Sequence, residues 1–378
     1  MTVVAAAPVR SVRIAAIDWM RGLVMVLMVV DHASMAFDGT HNPLDSAMYP
    51  DAMTAPLPAA EFLTRWITHI CAPTFVFLAG MSLALSIERK VAKGVPAWEI
   101  DRFILVRGLI IALLDPTIVS LGSGRLTLQV LFAIGVAMMC MAWLRRLPWQ
   151  ALLALGVGWF AVGEWMTGLV WHPPGTASVP AALLVATYGG GAAVIKYPVI
   201  PWLAMMALGW AFGKHVSRAA AGTTRFSTPA VLLTGGLLLL AIFAGVRAEA
   251  GYGDMWLHRA DNSWQQWLHV SKYPPSLTYA ALELGLLWII LGALMRIEPR
   301  IGVRASGPLL VFGQTSMFFY LAHRLAFEVP ATYLGLRGAG GLGTTYLVSA
   351  VMLMVLYPAC RGYRSLKGAY PQSVLRYF

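Results

Sequence analysis

The residues in this chain best suited to chemistry are ionisable side chains set into long apolar stretches. Residues 17–32, IDWMRGLVMVLMVVDH, open with Asp18 and Arg21 at helical spacing and close with Asp31 and His32. Arg65 and His69 stand four apart, so on a helix they share a face. Asp115 precedes Pro116, whose missing N–H frees a backbone carbonyl. Gln129 follows Arg125 at helical spacing, and Tyr320 and His323 stand three apart ahead of Arg324 and Glu328. Two loops lead into helices through one tripeptide, as Lys196-Tyr197-Pro198 and Lys272-Tyr273-Pro274. Ionisable groups at membrane depth are expensive when unpaired, so they are usually paired, cavity-facing and functional.

The chemistry these types suit is proton transfer. A carboxylate that holds an imidazole fixes its tautomer and raises its basicity, as general-base work near neutral pH requires. Adjacent helix positions point ~100° apart. His32 is therefore assigned to a cavity and Asp31 to a neighbouring helix, where it is expected to orient His69 or His323. The catalytic candidates are His32, Asp31, His323, His69 and Asp115, with His323 as a second acid–base group. The substrate-binding candidates are Arg65, Gln129, Lys196, Tyr197, Lys272, Tyr273 and Tyr320; Arg65 or Lys272 would steady an oxyanion. Each has a structural counterpart: arginines that snorkel, tyrosines of an aromatic belt, an Asp115 that merely pairs with an arginine. His41, His172, His258 and His269 fall in loops and receive no role. No metal is expected, since no HxxxH or HExxH occurs, although three histidines from separate helices would suffice for zinc with an open fourth position. A GxSxG elbow and a phosphate-cradling glycine loop are absent.

These residues need helices to position them. With 58% hydrophobic and 12% charged residues and a mean hydropathy of +0.69, the 378-residue chain reads as one all-α polytopic membrane bundle, residues 1–378 forming a single domain. About ten runs approach the ~20 apolar residues a crossing takes: 17–37, 62–87, 103–121, 126–144, 149–170, 198–213, 229–247, 276–295, 306–329 and 344–360. Residues 181–195 are too short and are interrupted by Gly189, Gly190 and Gly191, so they read as a re-entrant or interfacial piece. The formal charge of +11 lies in short loops, not on a basic face of a soluble module, which argues against nucleic acid. Most of the basic residues, including Arg10, Arg13, Arg89, Lys90, Lys93, Arg145, Arg146 and Arg296, fall on one side, giving N-in, C-in. No apolar run precedes the alanines at 5–7, so the first helix is expected to direct insertion and no signal peptide to be cleaved. Cys71, Cys140 and Cys360 lie in predicted helices and read as packing residues, not a disulfide framework.

IDWMRGLVMVLMVVDH resembles a bacterial membrane family related to the catalytic domain of heparan-α-glucosaminide N-acetyltransferase. The resemblance continues through FLTRWITHICAPTFVFLAG (62–80), KYPVIPWLAMMALGWAFG (196–213), SKYPPSLTYAALELG (271–285) and VFGQTSMFFYLAH (311–323). It implies a transmembrane acyltransferase fold. In the lysosomal relative, acetyl from cytosolic acetyl-CoA reaches a glucosamine amine on the luminal side, with a histidine at the active site. That relative's Lys-His-Ala-Ser-Trp-Asn-Gly segment has no match in the corresponding loop here, FDGTHNPLDSAMYPD, so its catalytic histidine is not carried across.

The reading is acyl transfer across a bacterial inner membrane. Acetyl-CoA or another acyl-CoA approaches from the cytoplasm, its phosphates near Arg21, Arg102 and Arg107. His32 takes the proton from an amine or hydroxyl acceptor, a sugar in the first instance, entering from outside; an acyl-histidine intermediate is an open variant. The alternative is a proton-coupled small-molecule permease, which buried Asp and His residues also suit. Expected partners are membrane lipid, acyl-CoA and a polar acceptor, with a homodimer left open.

Overall fold

The computed structural model describes residues 14–377, so Arg10, Arg13 and the alanines at 5–7 lie outside the described residues. The chain is 69% helical with almost no strand. Its first helices are α1 (Ala15–Phe37), α2 (Ala59–Trp66), α3 (Cys71–Ala92) and α4 (Ala97–Leu114). A π-helical turn, Asp115–Val119, joins α4 to α5 (Ser120–Ser123), and β1 (Leu126–Leu128) leads into α6 (Val130–Leu144) and α7 (Trp149–Gly168). A small excursion follows, with α8 (Val179–Leu184), β2 (Tyr188–Gly189) and β3 (Ala193–Ile195). The remainder is α9 (Val199–Ala220), α10 (Thr228–Glu249), α11 (Trp264–Leu268), α12 (Leu277–Ile301), α13 (Pro308–Gln314), α14 (Ser316–Tyr333) and α15 (Leu342–Ala369).

Seven helical runs are long and apolar enough to cross a membrane: α1, α2–α3, α4–α5, α7, α10, α12 and α15. The other three expected crossings are all helical but less regular. α6 has 15 residues, α9 ends in a polar turn with Lys214, His215 and Arg218, and residues 306–329 break at Thr315 into α13 and α14. Residues 181–195 form no crossing helix. They close a three-stranded sheet in the order β1-β3-β2, with β3 parallel to β1 and antiparallel to β2.

Helices approach closely where glycines allow it, the usual way of packing helices that gain little from hydrophobic burial in lipid. A methyl group on Gly80 of α3 would collide with the carbonyl of Met206 in α9, and one on Gly209 with the carbonyl of Phe77. Gly22 and Gly313 bring α1 and α13 together in the same reciprocal manner. α1 and α3 run antiparallel, with Cys71 Sγ 3.3 Å from the Val24 carbonyl and Arg21 3.4 Å from that of Leu78. The basic C-terminus of α3, with Arg89 and Lys90, therefore lies at the Arg21 end of the bundle. At that end Glu298 of α12 also accepts the N–H groups of Ala15 and Ala16, capping α1. At the His32 end Gly340 donates to the Phe37 carbonyl and Lys272 donates its N–H to the Asp45 carbonyl, so two loops fold over the helix termini.

Candidate functional site

α1 and α14 place His32 against His323. His32 Nδ1 lies 2.8 Å from His323 Nε2, with ring centroids 5.0 Å apart and ring planes 15° from parallel. His323 Nδ1 lies 2.7 Å from the Phe319 carbonyl one turn back, which can only accept. In the neutral pair this fixes every proton. His323 carries its hydrogen on Nδ1 and accepts at Nε2, so His32 donates from Nδ1 and keeps a lone pair on Nε2. That nitrogen has no partner among the described residues. Both nitrogens of His323 are engaged, so it holds His32 in place and is not free to protonate a leaving group.

The carboxylates are arranged differently from the expectation. Asp31 orients neither His69 nor His323; its Oδ1 takes Arg65 Nη1 at 2.5 Å and Thr68 Oγ1 at 3.0 Å. Arg65 belongs to α2 and Thr68 to the turn after it, so the helix beside α1 captures Asp31 first. The acid that meets an imidazole is Asp45, whose Oδ1 lies 3.3 Å from His69 Nε2. Its Oδ2 takes both Nε and Nη2 of Arg65, at 2.8 and 2.6 Å. Arg65 is thus consumed by two carboxylates and is not available to an oxyanion. Burial works against the Asp45 charge, but Arg65 and His69 outweigh it and hold the carboxyl well below the usual range. Asp45 escaped the sequence reading because it sits in a loop among other acids, with nothing in its spacing to mark it. His41 in the same loop bonds Ser34 Oγ at 2.9 Å, and burial, with Arg65 nearby, lowers its imidazole to about 4.

Asp115 is a helix cap. Its Oδ2 accepts the N–H groups of Gln129 and Phe132 at 2.7 and 2.8 Å, closing the N-terminus of α6. Pro116 stands in a π turn there, and the Asp115 carbonyl accepts both the N–H and the Oγ hydroxyl of Ser120. Gln129 Oε1 lies 3.5 Å from Arg324 Nη2, and Arg324 pairs with Glu328 at 3.4 Å.

The two Lys-Tyr-Pro lead-ins meet. Tyr197 and Tyr273 pack edge to face at 5.5 Å, with their hydroxyls 3.5 Å apart. The ammonium groups of Lys196 and Lys272 lie 5.1 and 5.4 Å from the centre of the Tyr273 ring. Lys272 is 2% exposed and has no ion pair or side-chain hydrogen bond among the described residues. Burial opposes ionisation of Tyr273, yet Lys272, Arg65 and Lys196 bring its phenol below the ordinary value.

Tyr320 packs edge to face on both histidines, at 5.9 Å from His32 and 5.8 Å from His323. Its hydroxyl is buried without a partner. It also lines a cavity of about 60 Å³ whose other walls are Met25, Met28, Phe75, Val130, Leu131, Ile134, Ser316 and Met317. Arg21, Met25, Met28 and His32 recur every three or four residues, so the cavity lies on the face of α1 between Arg21 and His32, ~16 Å of helix. At the far end of that stripe Arg21 bonds Ser82, Asp18 and the Leu78 carbonyl. Arg107 lies close enough to feel the Arg21 charge and has a buried Nε without a partner. Arg102 is exposed. Among the described residues no three His, Cys, Asp or Glu side chains gather as a metal ion requires.

The family model for heparan-alpha-glucosaminide N-acetyltransferase, catalytic, matches residues 13–243, more than half of the chain. The chain belongs to that family. The match takes in His32, Arg65, His69, Asp115, Gln129, Lys196 and Tyr197 and ends within α10. Lys272, Tyr273, Tyr320 and His323, and the resemblance noted at 271–285 and 311–323, lie beyond it. Comparison with curated proteins finds no match. Family and helices together make this a multi-pass membrane protein of an acetyltransferase-like class.

Proposed function

We propose that the protein transfers an acetyl group from acetyl-CoA to an amine or hydroxyl of a polar acceptor, a sugar in the first instance, across a bacterial inner membrane. The observation that carries this reading is the apolar cavity on α1, set between Arg21 and His32, with Tyr320, which packs on both histidines, in its wall. The clustering of basic residues at the Arg21 end favours that end as cytoplasmic, by the positive-inside rule. Arg21 and Arg107 then attract the phosphates of the donor, and the apolar walls take its arm. Arg102 is too exposed to add more than steering charge.

His32 Nε2 takes the proton from the acceptor as the acceptor nitrogen or oxygen attacks the thioester carbonyl. His323 fixes that tautomer and shares the positive charge that develops on His32. The Tyr320 hydroxyl, buried and unpartnered on the cavity wall, donates to the oxyanion, since a preorganised donor in a dry site is worth most there. Collapse breaks the C–S bond, and the proton held on His32 goes to the departing thiolate. The acceptor leaves acetylated and CoA leaves as the free thiol.

The test is purified protein in proteoliposomes with radiolabelled acetyl-CoA outside and glucosamine inside, and the reverse. Label appearing on glucosamine, and lost in His32→Ala, supports transfer. Glucosamine uptake that needs no CoA, and no labelled product, would instead establish the permease.

A further inference from the structure

The two Lys-Tyr-Pro lead-ins are far apart in sequence, at 196–198 and 272–274, yet the fold packs their tyrosines edge to face. A lone tripeptide ahead of a helix needs no function. Two that converge, each bringing a lysine to the same ring, point to a shared task. Neither lysine has a paired carboxylate among the described residues. Asp31 and Asp45 are both engaged by Arg65, and Glu283, the further carboxyl within the field of Lys272, makes no ion pair or hydrogen bond with either lysine among the described residues. Lys272 interacts electrostatically with Asp31, His32, Asp45 and His69, so its ammonium borders the His32 site. A buried ammonium makes three hydrogen bonds when satisfied, and this one makes none within the described residues.

We propose that Lys196 and Lys272 form a subsite for an anionic group on the acceptor, a carboxylate or a phosphate, placing the acceptor's nucleophile at His32. This rests on the acyl-transfer reading for its purpose but not for its measurement. The ammonium groups act as point charges with rotating donors, which suits either anion. The Tyr273 ring supplies an apolar floor on which the body of a sugar stacks.

Equilibrium binding to the purified protein in detergent, with no acetyl-CoA present, tests the subsite. The probes are glucose, glucuronate and glucose 6-phosphate, read by tryptophan fluorescence. The expected result is that one or both anions bind roughly tenfold or more tighter than glucose, with the preferred one identifying the group. Lys272→Gln and Lys196→Gln should each abolish that preference while glucose binding is unchanged. Lys196 is only partly buried, so its variant folds even if that of Lys272 does not. Equal affinity for all three probes overturns the proposal. So does a preference that emerges only in Glu283→Gln, because Glu283, buried on α12 and within the field of Lys272, would then be its internal counter-ion. Weakened acetyl-CoA binding in the lysine variants, with no change for the sugars, would assign the lysines to the donor and also overturn it. Absence of any acetyl transfer would refute the reaction and leave this binding result standing.

Discussion

Arg65 and Arg247 are both buried at the loop-covered end of this bundle, and their surroundings differ. Arg247 of α10 pairs with Asp254 at 2.8 Å and donates to the carbonyls of Leu257, Gln266, Trp267 and His269. Asp254 in turn accepts from Thr278, and Glu164 caps the N–H groups of Gly253 and Met255 beside it. The Arg247 guanidinium and the Asp254 and Glu164 carboxylates there all find partners inside the chain. Arg65 is equally well bound, by Asp31 and Asp45, but the groups around it are not closed. The Tyr320 hydroxyl, the Lys272 ammonium and His32 Nε2 all lack partners among the described residues. A closed cluster fastens a loop to a helix, whereas an open one has capacity left for a substrate.

The comparison is broken most directly by separating activity from stability. His32→Ala should lower acetyl transfer by ~10²–10⁴-fold, the range for a lost general base, with thermal stability in detergent little changed. A large fall in stability with activity retained would reverse the roles assigned to the two clusters. Arg247→Met should do the opposite. Leaving Asp254 buried and unpaired costs about 3–5 kcal/mol, visible as a lower unfolding midpoint, with transfer per folded molecule near wild type.

The helices were legible because each is a long apolar run, and residues 181–195 were legible as no crossing because they are short and interrupted by glycines. His32, His323 and Tyr320 were legible for the same reason, as polar residues that an apolar helix does not need. What could not be read was pairing. Only the path of the loop decides that Arg65 takes both Asp31 and Asp45 and that Asp45 also reaches His69. Asp115 looked equally reactive, yet its position one strand before α6 makes it a cap. Convergence of the Lys-Tyr-Pro lead-ins likewise depends on α9 and α12 beginning side by side, which neither tripeptide encodes.

Smaller effects sharpen the same contrast. His323→Gln keeps a group able to accept from His32 Nδ1, so transfer should fall roughly tenfold less than in His323→Ala, with acetyl-CoA affinity unchanged in both. Equal losses would make His323 a reacting group, not a positioning one. The loop over the open cluster should also respond to acid. The His41 imidazole is lowered from 6.5 to about 4, so folding favours its neutral form. Its contribution to stability is complete above pH 6.5 and is lost as pH falls from 6.5 towards 4. Asp45, held low by Arg65 and His69, begins to titrate only below the ordinary carboxylate range and adds its loss at lower pH. The midpoint of unfolding should therefore drop between pH 6.5 and 4, and His41→Gln should reduce that drop, His269, which burial also lowers, supplying part of the remainder, while leaving the decline at lower pH.

The most direct test of the central claim is equilibrium binding of radiolabelled acetyl-CoA, which requires no knowledge of the acceptor. The account predicts saturable binding that survives His32→Ala, weakens in Arg21→Gln and is lost in Ser316→Trp, whose indole fills the cavity between Arg21 and His32. Binding untouched by Ser316→Trp, or no binding to the folded wild type, would contradict it.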